Sequence, residues 1–310
     1  MTRHFLRDDD LTPGQQATVL ALAERMKAEP YGYQTLAGPR SVALLFDKPS
    51  TRTRVSFAVG VSELGGHPLV LDAATSQLGR GETVEDTARV LDRQVAAVVW
   101  RTFEQGRLDA LAAVSGVPVV NALTDEFHPC QLLADLLTVQ EQRGSLAGLT
   151  FSFVGDGASN MAHSTLLAGA TAGMHVRIGS PDGYTPDPSV LAQAASLAEE
   201  TGGSVLHTAD PVEAFRDADV VSTDTWVSMG QESEAADREA PFRPFAVTPE
   251  AVSSAHDDVV VLHCLPAYRG KEIAADYLDD PASPVWDQAE NRRHAQKALL
   301  SWLLSAQAAT

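Results

Sequence analysis

"SVALLFDKPSTRTRVSFAVGVSELGG", running from Ser41 to Gly66, holds a strand, a loop and a helix in one stretch. The opening apolar run, Ser41 to Phe46, is the length of a buried strand. "DKPSTR" then breaks it with a proline and four hydroxyl or basic residues. After the break Phe57, Val61 and Leu64 fall at i, i+4 and i+7, the spacing of one helix face, and Gly65 and Gly66 mark its stop. The same order recurs outward along the chain. Further apolar or β-branched runs are "PLVLD", "AAVVW", "VPVVNA", "LTFSFVGD", "HVRIGS", "SVLHT", "DVVSTD" and "VVVLHCLP", with amphipathic stretches between them. Strand and helix in alternation predict an α/β fold of parallel sheets flanked by helices. The pattern repeats in two halves. A long helical pattern, "CQLLADLLTVQEQRG", precedes "LAGLTFSFVGDG", and the domain boundary is expected along it. The last pattern, "WDQAENRRHAQKALLSWLL", predicts one long helix able to return to the first domain.

Composition removes several classes of function. The 310 residues are 44% hydrophobic and 21% charged, a globular balance long enough for two cores. A net charge of −18 opposes binding to nucleic acid or an anionic membrane, which are gripped through clustered lysine and arginine. No apolar run approaches the ~20 residues of a membrane helix, and "MTRHFLRDDDLTPGQQ" lacks a secretory signal's apolar centre, so a cytoplasmic protein is expected. Two cysteines, Cys130 and Cys264, do not make a disulfide framework.

The loop at "STRTR" reads as an anion site. Ser50 or Thr51 at the helix N-cap leaves the first-turn N–H groups pointing outward, where the helix dipole also favours negative charge. The hydroxyls and the guanidinium forks of Arg52 and Arg54 add donors suited to a phosphate. An ordinary N-cap with two solvated arginines is the alternative. Ligands of parallel sheets bind beyond the strands' carboxyl ends, and six polar residues collect there: Arg101, His128, Gln131, Asn160, Asp224 and Cys264. "HPC" and "HC" do not have the paired spacing of structural zinc ligands, and adjacent His263 and Cys264 on a strand should point to opposite faces. "VGDGASN" offers Gly155 and Gly157, with Asp182 further on, but Asn160 stands where a dinucleotide loop wants glycine or alanine.

"STRTR", "WRT", "FHPCQ", "DTWVSMGQE", "HCLPA" and "AENR" together resemble the carbamoyltransferases over nearly the whole chain, with "SMG" and "HCLP" resembling the ornithine branch. The resemblance implies transfer of a carbamoyl group from carbamoyl phosphate to the side-chain amine of L-ornithine, giving L-citrulline and phosphate, a step of arginine biosynthesis. It implies a carbamoyl-phosphate-binding domain over 1–135, with helix 288–310 crossing back, and an ornithine-binding domain over 136–287. The site would lie in the cleft between them, without metal or organic cofactor, in a homo-oligomer, expected to be a trimer with active sites shared between subunits.

Residue roles follow from the same resemblance. Ser50, Thr51, Arg52, Thr53 and Arg292 would hold the phosphate; Arg101 and His128, with Thr53, the developing oxyanion; Gln131 the carbamoyl amide; and Cys264 and Leu265 would also contact carbamoyl phosphate. Gln77, in "SQLGRG", would enter a neighbour's site. Asn160, Ser228 and Met229 would grip the α-amino and α-carboxylate groups, with Asp224 and Cys264 at the side-chain amine. That amine, with a pKa of about 10.4, costs roughly 4 kcal/mol to deprotonate at neutral pH, so a relay through Cys264 to the departing phosphate is expected. Gly230 and "QESEAADRE" suggest a lid. Ser159 and Tyr268 depart from residues frequent in the family, asparagine and histidine. The lack of a lysine after Gln77, together with Asp224, argues against aspartate as acceptor. A dinucleotide-dependent dehydrogenase would leave "STRTR" idle, and a simple anion-binding protein would have no need of Asp224, "SMG" and Cys264.

Overall fold

Each of the nine β-branched runs forms a strand, and every strand pairing among the described residues is parallel. The structure is a computed structural model that describes residues 2–72, 77–227 and 235–307. Two compact units result, residues 1–137 with 290–310, and residues 138–289.

The first unit begins with helix α1 (Pro13–Ala28) and continues through β1 (Ser41–Phe46), α2 (Thr51–Glu63), β2 (His67–Asp72), α3 (Val84–Leu91), β3 (Ala97–Arg101), α4 (Gln105–Val114) and β4 (Val119–Leu123). Its sheet order is β2-β1-β3-β4. The boundary between units falls inside α5 (Pro129–Arg143). Strands β3 and β4 are buried at every residue, as expected where helices cover both faces of a parallel sheet, whereas β2 at the edge is exposed or half-buried throughout. Phe57, Val61 and Leu64 on α2 are fully buried, so the face read from their spacing is the core face.

The second unit runs β5 (Thr150–Val154), α6 (Asn160–Thr171), β6 (His175–Gly179), α7 (Pro188–Thr201), β7 (Ser204–Thr208), α8 (Pro211–Phe215), β8 (Val220–Thr223), α9 (Ala235–Phe242), α10 (Pro249–Val252), β9 (Val260–His263) and α11 (Asp276–Asp279). Its sheet order is β7-β6-β5-β8-β9. Helix α12 (Pro284–Gln307) ends the described chain, and from Glu290 onward it belongs to the first unit. The glycines after β5 have local causes. Gly155 is left-handed at φ 136°, and a Cβ on Gly157 would lie 2.5 Å from Tyr184 O and 2.6 Å from Ser180 Oγ. Close packing onto the loop after β6 accounts for "GDG" without a dinucleotide.

Candidate active site

In the first unit the chain leaves β1 toward β2 and later returns to the other side of β1 as β3, so the loops after β1 and β3 part at their carboxyl ends. Open parallel sheets place ligands at such a reversal. Ser50 is the N-cap of α2, its Oγ accepting the Thr53 N–H at 3.3 Å, with Thr51 and Arg52 in the first turn. Thr53 is fully buried, and its Oγ1 accepts from Arg292 Nη2 at 2.6 Å. Arg101 closes β3 and is buried. The loop carrying "DKPS" is hung from this strand end: Asp47 N–H donates to Arg101 O at 2.9 Å, and the Asp47 carboxylate accepts from Thr102 Oγ1 at 2.6 Å and Arg107 Nη1 at 2.8 Å.

His128, just before α5, gathers the region. Burial is the main force holding its pKa well below 6.5, followed by the positive charges of Arg292, Arg101, Arg52 and Lys48. The ring is therefore neutral near pH 7, with an N–H to donate and no charge of its own to add. One turn into α5, the Gln131 amide donates from Nε2 to buried Asp135 Oδ1 at 2.8 Å. Its Oε1 accepts no hydrogen bond among the described residues, which leaves an acceptor matched to an NH₂ group.

One arginine reading changes. Arg54 pairs with Asp72 of β2 and lies 4.3 Å over the Phe46 ring, so of the two arginines read as phosphate ligands only Arg52 faces His128. Arg292 of α12, expected from the family resemblance, is a further cation acting on His128. Lys48 is the residue that sequence reasoning passed over; it pairs with Asp125 and sits 4.6 Å from the Phe103 ring centroid. It stands two residues past the end of β1, in the region where the other candidates were sought. Gln77 is exposed in a short 3-10 turn, lining a surface pocket with Val70, Leu71 and Asp72.

The second unit repeats the reversal between β5 and β8. Asn160 opens α6, after Ser159 caps it by accepting the Ala162 N–H at 3.2 Å. Asp224 follows β8, its Oδ1 accepting the Thr225 N–H at 2.7 Å and the Cys264 thiol at 3.1 Å. Beside it Trp226 stacks on Phe242, ring centroids 6.1 Å apart. Ser228 and Met229, with Gly230 and the start of the expected lid, lie outside the described residues.

His263 and Cys264 do not diverge as strand alternation predicts. Strand β9 ends at His263, and Leu265 is left-handed at φ 57°, a conformation that costs a branched residue energy and recurs at functional sites. The turn brings donor atoms of Asp224, His263 and Cys264 within 4.8 Å of one another. That trio has the chemistry of a metal site, but both ring nitrogens of His263 are engaged. Nδ1 accepts the Leu265 N–H at 2.9 Å, which puts the proton on Nε2, facing buried Glu272 Oε1 at 3.2 Å. His263 thus shapes the turn that presents Cys264. Cys130, the other thiol, is buried in the first unit's core, where it donates to Asn121 O at 3.2 Å and burial raises its pKa far above 9.0.

Two family models match: the aspartate/ornithine carbamoyltransferase carbamoyl-P binding domain over residues 3–141, and the Asp/Orn binding domain of the same family over 147–303. The chain belongs to the aspartate/ornithine carbamoyltransferase family. It is 63% identical over 304 residues to the ornithine carbamoyltransferase of Clavibacter sepedonicus, covering 98% of this chain and 99% of that one. The enzyme of that name from Mycobacterium ulcerans is 61% identical over 304 residues, with the same coverage. Among solved structures, the ornithine carbamoyltransferase from Pyrococcus furiosus superposes with a TM-score of 0.93 at 46% identity, covering 98% of this chain and 97% of that one.

Proposed function

We infer that this chain transfers the carbamoyl group of carbamoyl phosphate to the side-chain amine of L-ornithine, releasing L-citrulline and phosphate, the reaction its relatives' names describe. The observation that carries the reading is the opposite chemistry of the two sheet reversals: cations around a buried neutral histidine in one unit, a carboxylate and a thiol in the other. A dianionic phosphate relieves the mutual repulsion of Arg52, Arg101, Arg292 and Lys48. The α2 N-terminus, with Ser50 and Thr51, supplies N–H and hydroxyl donors to the same group.

Amine attack turns the carbamoyl carbonyl into an oxyanion. Arg101 and the neutral His128 ring are donors fixed before the charge appears, which is where preorganised electrostatics contributes most. Gln131 Oε1 accepts from the carbamoyl NH₂ and so orients the carbonyl. In the second unit Asp224 selects a cationic side chain, with Asn160, Ser228 and Met229 assigned to the amino-acid end. The thiol already donates to Asp224, so a proton leaving the amine has a two-group path through Cys264 and Asp224 toward the departing phosphate. A Cys264→Ser variant should shift the pH dependence of turnover; an unchanged profile reduces Cys264 to a binding contact.

Assembly as a homo-oligomer is part of this reading. Leu69 and Val70 on the edge strand β2 and Val55 and Val59 on α2 are exposed apolar residues, the kind of surface a subunit contact covers. We assign a trimer, with Gln77 serving a neighbour's site; full turnover by a sedimenting monomer would defeat that assignment. The compartment assigned is the cytoplasm, in keeping with two free cysteines; among the described residues no helix is long and apolar enough to cross a membrane. Incubation with carbamoyl phosphate and, separately, ornithine, aspartate, lysine or putrescine tests the whole. Ureido product and phosphate with ornithine alone are expected, and product with aspartate alone would overturn the acceptor.

A further inference from the structure

Lys297, on α12, is a fully buried lysine that the reaction as derived does not use. Its Nζ donates to Glu63 Oε2 at 2.6 Å and to Pro30 O at 2.7 Å. Glu63, the last residue of α2, is itself buried, and its other oxygen lies 3.3 Å from Arg293 Nη1. The helices meet closely here: a Cβ on Gly60 would come within 3.1 Å of Lys297 Cγ. At the other end of α2, Thr53 Oγ1 accepts from Arg292, five residues before Lys297. The two helices are therefore tied twice, once at the anion-binding end of α2 and once at its far end, about 15 Å along its axis from Thr53.

We propose that the buried Lys297–Glu63 ion pair is a positioning device for the phosphate site, fixing the slide and rotation of α12 so that Arg292 meets Thr53. A purely apolar contact between two helices tolerates small slips, because neighbouring registers bury similar surface. A buried ammonium is satisfied only where its acceptors stand, and Lys297 has a carboxylate and a backbone carbonyl in one place. Such pairs contribute little net stability over an apolar replacement, and specifying register is their best-attested use. Gly60 fits the same account: the lysine stem crosses α2 where a side chain would obstruct it. The proposal rests on the reading that Arg292 serves the phosphate.

The test separates that reading from the proposal. Arg292→Gln, Glu63→Leu with Lys297→Met, and all three together are compared for KM toward carbamoyl phosphate, KM toward ornithine, and melting temperature. If Arg292→Gln leaves KM for carbamoyl phosphate unchanged, the underlying reading fails. Given that it rises, the E63L/K297M pair should melt close to the parent yet raise KM for carbamoyl phosphate about tenfold, the scale of a small misplacement, with ornithine KM within about twofold. Because Lys297 acts through Arg292, the triple variant should bind carbamoyl phosphate no worse than Arg292→Gln alone. A folded pair variant with the parent KM, or effects that multiply in the triple variant, overturns the proposal. Should the pair variant unfold, Glu63→Gln, which keeps the side-chain shape and the Pro30 contact, carries the same comparison; it should raise KM for carbamoyl phosphate less but in the same direction, and an unchanged KM overturns it.

Discussion

The two units solve the same topological problem and fill it with opposite charge. Both sheets reverse strand order once, between β1 and β3 and between β5 and β8, and both set candidate residues past the carboxyl ends of the strands at and next to the reversal. At the first, three arginines and a lysine converge on a buried ring in a chain whose net charge is −18. At the second, one carboxylate and one thiol share a hydrogen bond. Topology thus supplies a place, and the residue types at strand ends decide whether it takes a phosphate or an amine.

The sharpest way to break this comparison is to remove charge from the first region. Arg101→Met should lower turnover about a thousandfold, the upper range for loss of one preorganised oxyanion donor, and weaken inorganic phosphate binding measured by calorimetry. A loss below tenfold would move Arg101 out of the reacting centre and leave His128 and Arg292 to do its work.

A smaller effect is expected in the second region, where one carboxylate carries the selection. Asp224→Asn keeps the shape and the acceptor for the Cys264 thiol but removes the charge facing the ammonium. KM for ornithine should rise about thirtyfold, as for loss of a hydrogen bond to a charged group, while phosphate binding stays within about twofold. If phosphate binding falls in parallel, the division of labour between the units is wrong.

The comparison also explains what the sequence made legible. Strand ends are written locally, so β-branched runs and the residues after them nominated Arg101, His128, Asn160, Asp224 and Cys264 as candidates. Side-chain direction past a strand end is not local. Arg52 and Arg54 are indistinguishable in "STRTR", and only the neighbouring edge strand, which offers Asp72, shows that Arg54 turns away. His263 and Cys264 were assigned to opposite faces because alternation was carried one residue beyond β9, into the left-handed turn at Leu265. Arg292 lies 239 positions from the threonine it touches, so "AENR" placed it only through family resemblance. Lys48 was missed for a plainer reason: loop lysines are commonly solvated, and nothing in "FDKP" tells that Asp125 and Phe103 hold this one.

The smallest effect concerns acid, and it isolates the cost of the first region's charge. Burial and four cations keep His128 neutral in the folded protein, whereas in the unfolded chain it titrates near 6.5. As pH falls below 6.5 the unfolded state therefore takes up a proton that the folded state refuses, and stability is lost down to the depressed folded pKa; above 6.5 the ring has no effect. His128→Gln removes that ring, so its denaturant melts should lose less stability than the parent between pH 6.5 and 5.5, by up to about 1.4 kcal/mol per pH unit. His4, His207 and His294 are also lowered by burial and leave part of the slope in the variant. Identical slopes in parent and variant would mean that His128 accepts its proton in the folded state. The neutral-donor role would then fall, and the oxyanion would be left to Arg101.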